Sequence, residues 1–129
     1  ETLANMFGKE LYVDNEELLD VSTAISGSGP GFFYLIMESM IDTGVRLGMS
    51  RKDSTLLVYQ TMLGSVKNAI QSDIHPTILR NDITSPGGTT ADALFNLDKL
   101  AFRYVLSDGI NSAYKKSIKI GEDIQKSLD

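Results

Sequence analysis

The chain contains no cysteine and no tryptophan, one histidine and three prolines in 129 residues. Without cysteine there is no disulfide framework, no thiol nucleophile and no thiolate metal site. The same absence fits a reducing compartment, and a cytoplasmic setting is expected. The lone His75 has no carboxylate pair at ligand spacing, so no metal centre is expected. Capping a helix, lining the rim of a site, or simply sitting in a loop remain open to it. Cationic side chains are also scarce: twelve Lys and Arg stand against seventeen Asp and Glu, a net charge of −5. An acidic chain without a basic stripe does not suit nucleic acid as a partner. Nor does it suit a membrane span. Gly31 to Met37 is the longest apolar-dominated run and ends at Glu38, well short of the roughly 20 residues a spanning helix needs. No leader pattern opens the chain. It starts at Glu1 rather than Met, and the expectation is a piece of a longer protein.

What is present is a helical pattern at 42 % hydrophobic residues, enough for one domain's core without disulfides. Thr2 to Gly8 reads as the end of a helix. Leu11-Tyr12-Val13 gives a short strand signal with Asp14-Asn15 as turn chemistry, but no later segment offers it a partner. Glu16 to Ile25 reads as a short helix, broken by Ser26-Gly27-Ser28-Gly29-Pro30-Gly31. That stretch is neither a dinucleotide fingerprint, since Phe32 stands where the third glycine belongs, nor a phosphate loop. It reads as a tight turn, with Pro30 suited to the first turn of the next helix. That helix, Phe32 to Leu47, is apolar nearly all round, so a second copy is the simplest way to bury it. Gly44 and Gly48 are expected to end it and to allow close backbone approach. Ser50-Arg51-Lys52-Asp53 resembles a capping box and opens a helix to about Ser72. His75-Pro76 marks a stop, and Pro76 to Asn81 a helical turn. A helix from Thr90 to about Leu100 and a long final helix toward Leu128 follow, separated by a break at Ala101-Phe102-Arg103. Lys115, Lys116, Lys119 and Lys126 read as a solvated face near the negative end of the helix dipole. The expected fold class is all-α, an interlocked helical bundle with a remnant strand at its N-terminal end.

The most distinctive stretch is Ser85-Pro86-Gly87-Gly88-Thr89-Thr90, just before a helix. Helix starts carry unsatisfied N–H donors and partial positive charge, and glycines let an anion approach the backbone. The stretch therefore reads either as an anion-binding turn or as an ordinary cap supplied by Thr89 or Thr90.

Three signatures stand in order: Thr23-Ala24-Ile25-Ser26-Gly27-Ser28-Gly29-Pro30, then Ser72-Asp73-Ile74-His75-Pro76 with Leu79-Arg80, then Ser85 to Thr90. Together they closely resemble the C-terminal domain of pyrroline-5-carboxylate reductases, over essentially the whole chain. Phe102-Arg103 fits as well. The sequence departs from that pattern at Gly31-Phe32, usually Ala-Tyr, at Ala91-Asp92 after the threonines, and at Ala101, commonly Gly. The resemblance implies a two-part enzyme. Residues 1–15 would be the tail of an N-terminal Rossmann domain and 16–129 the helical dimerisation and substrate-binding domain.

It also implies a reaction: reduction of 1-pyrroline-5-carboxylate to L-proline with NADPH or NADH, the last step of proline biosynthesis. Backbone N–H groups at Gly88, Thr89 and Thr90 can supply a clamp for the substrate carboxylate; the likeness places the substrate at Thr89 and Thr90, and the Thr90 hydroxyl is assigned as partner of the ring nitrogen and catalytic group. Glu16 lies on the substrate side, where a carboxylate favours the cationic iminium. Asp82 matches a position, often Asn, that contacts the nucleotide. The main dinucleotide site falls on the upstream domain, so the chain alone is expected to be inactive. Implied partners are a second copy, as a homodimer or larger assembly, and the small substrate. The competing expectation is a non-catalytic helical oligomerisation module in which the glycine-threonine turn is purely structural.

Overall fold

The computed structural model describes residues 9, 11–13, 15 and 17–128. The helix end expected within residues 2–8 therefore lies outside the described residues. Among those described, regular structure is entirely helical: α1 (Glu17–Ser22), a π-helical segment (Thr23–Gly27), α2 (Gly29–Arg46), α3 (Arg51–Ser72), α4 (Pro76–Asp82), α5 (Thr89–Lys99) and α6 (Phe102–Leu128). Leu11, Tyr12 and Val13 belong to no regular element. A strand exists only through a ladder partner, and none is present among the described residues.

Each boundary has a local cause. Asn15 caps α1, its Oδ1 accepting the Glu17 N–H at 2.9 Å. The chain widens before it breaks at the Ser-Gly repeat: Thr23–Gly27 is π-helical, with Ser28 N–H donating to Thr23 O at 2.9 Å across five residues, and the helix is interrupted at Ser28. The second helix then starts at Gly29, with Pro30 in its first turn. It ends at Arg46, and Gly48, at φ 102, makes the turn that L side chains resist. At Ser50 the expected cap forms: its hydroxyl oxygen accepts from Asp53 N–H at 3.1 Å and its proton goes to Asp53 Oδ2 at 2.7 Å. The third helix stops at Ser72 because Asp73 turns left-handed, at φ 53.

The described residues fall into two compact units, one of residues 17–30 with 107–128, the other Gly31–Leu106. In the first, Ser117 Oγ donates to Asp20 Oδ1 at 2.6 Å, joining α1 to α6. In the second, α2 and α3 meet where Ser54, buried, donates from Oγ to Ile41 O at 2.9 Å. Gly44, expected to end α2, instead lies inside it and permits this crossing. A Cβ there would collide with Ser54 Oγ and come within 3.2 Å of Ser54 Cβ. Beside it Arg51 Nη1 pairs with Asp42 Oδ1 at 2.9 Å, both half-exposed, a contact worth no more than about 1 kcal/mol.

Very little else is covered. Among the described residues the buried hydrophobic side chains are Ala24, Ile41 and Val58. Leu35 remains 62 % exposed, Leu56 57 %, Ile70 66 % and Phe95 70 %. Helices of this length draw most of their stability from a packed apolar face. Here that face is largely open, as expected for helices whose partners belong to another chain. No helix among the described residues is long and apolar enough to cross a membrane.

Candidate functional site

The Ser85–Thr90 stretch is built from its two flanks. Upstream, α4 begins at His75, whose Nδ1 accepts the Thr77 N–H at 3.2 Å, so the single histidine caps a helix. At the other end Thr84 closes α4 twice. Its N–H donates to Asn81 O at 2.9 Å and its half-buried hydroxyl to Arg80 O at 2.6 Å. The chain then reverses through Ser85-Pro86-Gly87-Gly88. Gly88 N–H donates to Ser85 O at 3.0 Å and Gly87 sits at φ 69. Proline second and a left-handed glycine third is the type II pattern, which explains both residue types.

This geometry decides the cap. Neither threonine caps α5. The N-cap is Gly88, in extended backbone at φ −84 and ψ 165, with no side-chain capping bond. Thr89 and Thr90 are the first two helical residues. Their N–H groups and that of Ala91 start the helix; the first bond back to the cap carbonyl comes from Asp92 N–H, to Gly88 O at 3.2 Å. Among the described residues nothing accepts from these three donors. A glycine cap thus leaves the positive end of the helix dipole open to an outside anion. The Gly88 N–H is already used in the turn, so the donors left without an acceptor are those of Thr89, Thr90 and Ala91. Gly88 contributes through its lack of a side chain: a Cβ on it would stand 2.5 Å from Ser85 Oγ and 3.1 Å from Ser85 O. Ser85 is the residue that sequence reasoning left without a role. Only the fold of the turn shows that its carbonyl and hydroxyl pack over Gly88.

The other expected site residues fare differently. Glu16 lies outside the described residues. Asp82 ends α4 and is exposed. Its negative charge is badly suited to hold a nucleotide phosphate. No group of three or more metal-ligating side chains exists among the described residues. Asp92 sits in the first turn of α5, exposed, its carbonyl accepting from Asn96 Nδ2 at 2.9 Å. Beyond α5, Ala101 takes φ 57 and Arg103 Nε donates to Asp98 Oδ1 at 3.0 Å, fixing the break before α6.

Helices with largely exposed apolar side chains and a glycine-capped helix start define an all-α domain. Comparison with known proteins names the kind. A family model described as pyrroline-5-carboxylate reductase dimerisation matches residues 16–120. The pyrroline-5-carboxylate reductase of Pseudomonas aeruginosa is 37 % identical over 122 residues, covering 95 % of this chain and 45 % of that protein. Pyrroline-5-carboxylate reductase 1 of Bacillus subtilis is 41 % identical over 126 residues, covering 98 % and 42 %. Among solved structures, the Plasmodium falciparum pyrroline carboxylate reductase with NADP bound superposes with a TM-score of 0.88 at 41 % identity, covering 93 % of this chain and 45 % of that one. The chain belongs to the pyrroline-5-carboxylate reductase family, through its dimerisation domain. It spans less than half the length of these curated relatives.

Proposed function

We propose that this chain is the dimer-forming, substrate-holding part of an NAD(P)H-dependent reductase that converts 1-pyrroline-5-carboxylate to L-proline in the cytoplasm. The observation that carries the reading is the uncapped start of α5, with Thr89 and Thr90 N–H groups lacking an acceptor behind a glycine cap. The substrate of such an enzyme is a cyclic imine bearing a carboxylate, and a carboxylate is the group that such a helix start holds.

In the reaction the imine carbon gains a hydride and the nitrogen a proton, giving the secondary amine. Reduced nicotinamide, when bound, supplies the hydride. The described residues do not fit that cofactor: the glycine fingerprint is unmet and Asp82 presents a like charge to phosphate. The reading therefore assigns the nucleotide to an N-terminal Rossmann domain, of which residues 1–15 are the tail.

The chain's own residues bind and orient. The Thr89 and Thr90 N–H groups hold the carboxylate in one plane, at about 1.5–3 kcal/mol for each bond to the charge. The reading assigns the Thr90 hydroxyl, half-buried, as hydrogen-bond partner of the ring nitrogen. A hydroxyl of ordinary acidity does not surrender a proton by itself, so it relays one from water. Glu16 is assigned to the substrate side, where its charge favours the iminium form. Self-association follows from the open apolar helices and from the family.

The test joins the chain to an N-terminal domain and follows cofactor oxidation with the imine acid as substrate. Activity that needs both parts supports the reading. Activity indifferent to Thr90→Ala removes Thr90 from the chemistry. A domain that dimerises while proline leaves the Thr89 and Thr90 amide signals unmoved indicates a purely structural turn.

A further inference from the structure

The α2–α3 hairpin carries a groove of about 580 Å³, walled by Tyr34, Leu35, Met37, Ile41, Thr55 and Tyr59, with Glu38 and Arg51 also in its lining. Arg51 is anchored on its own chain by Asp42, at 2.9 Å. Glu38, one turn before Asp42 on the same helix, has no ion-pair or hydrogen-bond partner from its side chain among the described residues. The apolar surface does not stop at the groove. Along α3 the exposed Leu63, Val66 and Ile70 continue the side of the helix that carries Arg51, Thr55 and Tyr59. That extent exceeds what a small ligand covers and matches the face of another helix pair. The occupant to which the observations commit is a second copy of this chain, the partner already required by the proposed dimer, on which this inference rests.

Covering the groove takes Glu38 out of water. A carboxylate desolvated without a cation is strongly unfavourable, and α2 and α3 leave the groove with one cation, Arg51. In a two-fold interface the same patch serves both subunits, so that a contact from Glu38 to Arg51 is made twice. The guanidinium has five donors, and the bond to Asp42 leaves several for a second carboxylate. The geometry points to a reciprocal ion pair, Glu38 of one subunit with Arg51 of the partner subunit, as the charged anchor that sets the register of this dimer. Asp42 holds Arg51 in position, a bridge between helix and interface.

The experiment measures the dimer dissociation constant of the chain by sedimentation for the parent, E38Q, E38R, R51E, the double variant E38R/R51E, and D42N. Circular dichroism of each variant shows whether its helices are retained. E38Q keeps the shape of the side chain and is expected to weaken the dimer about tenfold. E38R and R51E are expected to weaken it at least a hundredfold, and E38R/R51E to recover most of that loss. D42N, which removes only the intrachain contact, should change it by less than a few-fold. Single variants that dimerise like the parent overturn the inference, as does a double variant as weak as its parents combined. A parent that stays monomeric at every concentration instead overturns the proposed dimer itself.

Discussion

Substituting Gly88 by alanine isolates the clamp, because everything the change disturbs lies within one turn. The new methyl carbon would stand 2.5 Å from Ser85 Oγ and 3.1 Å from Ser85 O. The hydroxyl can rotate away at little cost. The carbonyl cannot, since it accepts the Gly88 N–H at 3.0 Å. Relief must come from the turn opening by a few tenths of an ångström, at about 1–2 kcal/mol of overpacking strain. That movement re-aims the Thr89 and Thr90 N–H groups. Losing one well-directed bond to a carboxylate removes about 1.5–3 kcal/mol of binding, and 1.4 kcal/mol is a factor of ten. In the enzyme completed by its N-terminal domain, Gly88→Ala should raise KM for the imine acid roughly 10–100-fold, with a smaller fall in kcat. Adding Ser85→Ala removes the 2.5 Å contact and leaves the 3.1 Å one, so the double variant should regain little of the affinity. Steady-state kinetics with substrate varied at saturating cofactor reads both numbers. An unchanged KM in Gly88→Ala refutes the clamp, and a double variant restored to the parent KM refutes the strain assigned to the Ser85 carbonyl.

Three further outcomes are expected. Thr90→Ala should lower kcat by about a hundredfold, in the range of a lost proton-transfer partner, while Thr90→Ser keeps most of the rate; equal kinetics for both variants and parent would exclude the hydroxyl. Ala101 holds φ 57, a conformation costing an L-residue about 1–2 kcal/mol. Ala101→Gly should therefore stabilise the chain by about 0.5–1 kcal/mol after the extra unfolded-state entropy of glycine, a rise of a few degrees in Tm by calorimetry. Gly44→Ala should destabilise although alanine favours helix by about 1 kcal/mol, because the methyl collides with Ser54 Oγ; Gly44→Ala in a Ser54→Ala background should recover part of the loss in chemical denaturation.

What the sequence made legible is what local chemistry decides. Ser50 and Asp53 marked the start of α3 because a cap is a contact between near neighbours, and the helix ran to Ser72 as its spacing indicated. The break before Phe102 was equally local. Elsewhere composition gave only part of the answer. Glycine and serine from Ser26 to Gly31 marked an interruption, which falls at Ser28, but not the π-turn before it, in which the five-residue bond from Ser28 to Thr23 takes in an extra residue. Gly44 suggested a helix end, since glycine weakens helices, but its meaning lay in Ser54 ten positions on. At the site, threonine is the better capping residue by preference. The turn overruled preference: once Gly87 is left-handed and Gly88 donates back to Ser85, Gly88 is the residue left at the cap. The anion reading is consistent with that outcome, because a glycine cap offers no side-chain acceptor to any donor of the first turn.

The open faces of α2 and α3 and the open start of α5 are connected by what a clamp requires. Two N–H groups hold a carboxylate usefully only if their backbone is fixed to about 0.5 Å by packed surroundings. Within residues 31–106 the fixed points are few: the Ser54–Ile41 crossing, the Thr84 bonds that close α4, and the turn hydrogen bond. Phe95, on the helix that carries the clamp, and Ile83, just ahead of the turn, are 70 % and 71 % exposed. The turn can fold from its own glycines and proline, but the helices on either side of it cannot be held still by the apolar contacts of one chain. Covering those faces with a second copy supplies the missing rigidity. On this argument assembly comes before substrate binding, and carboxylate affinity at Thr89 and Thr90 should rise as the dimer forms, before any cofactor domain takes part.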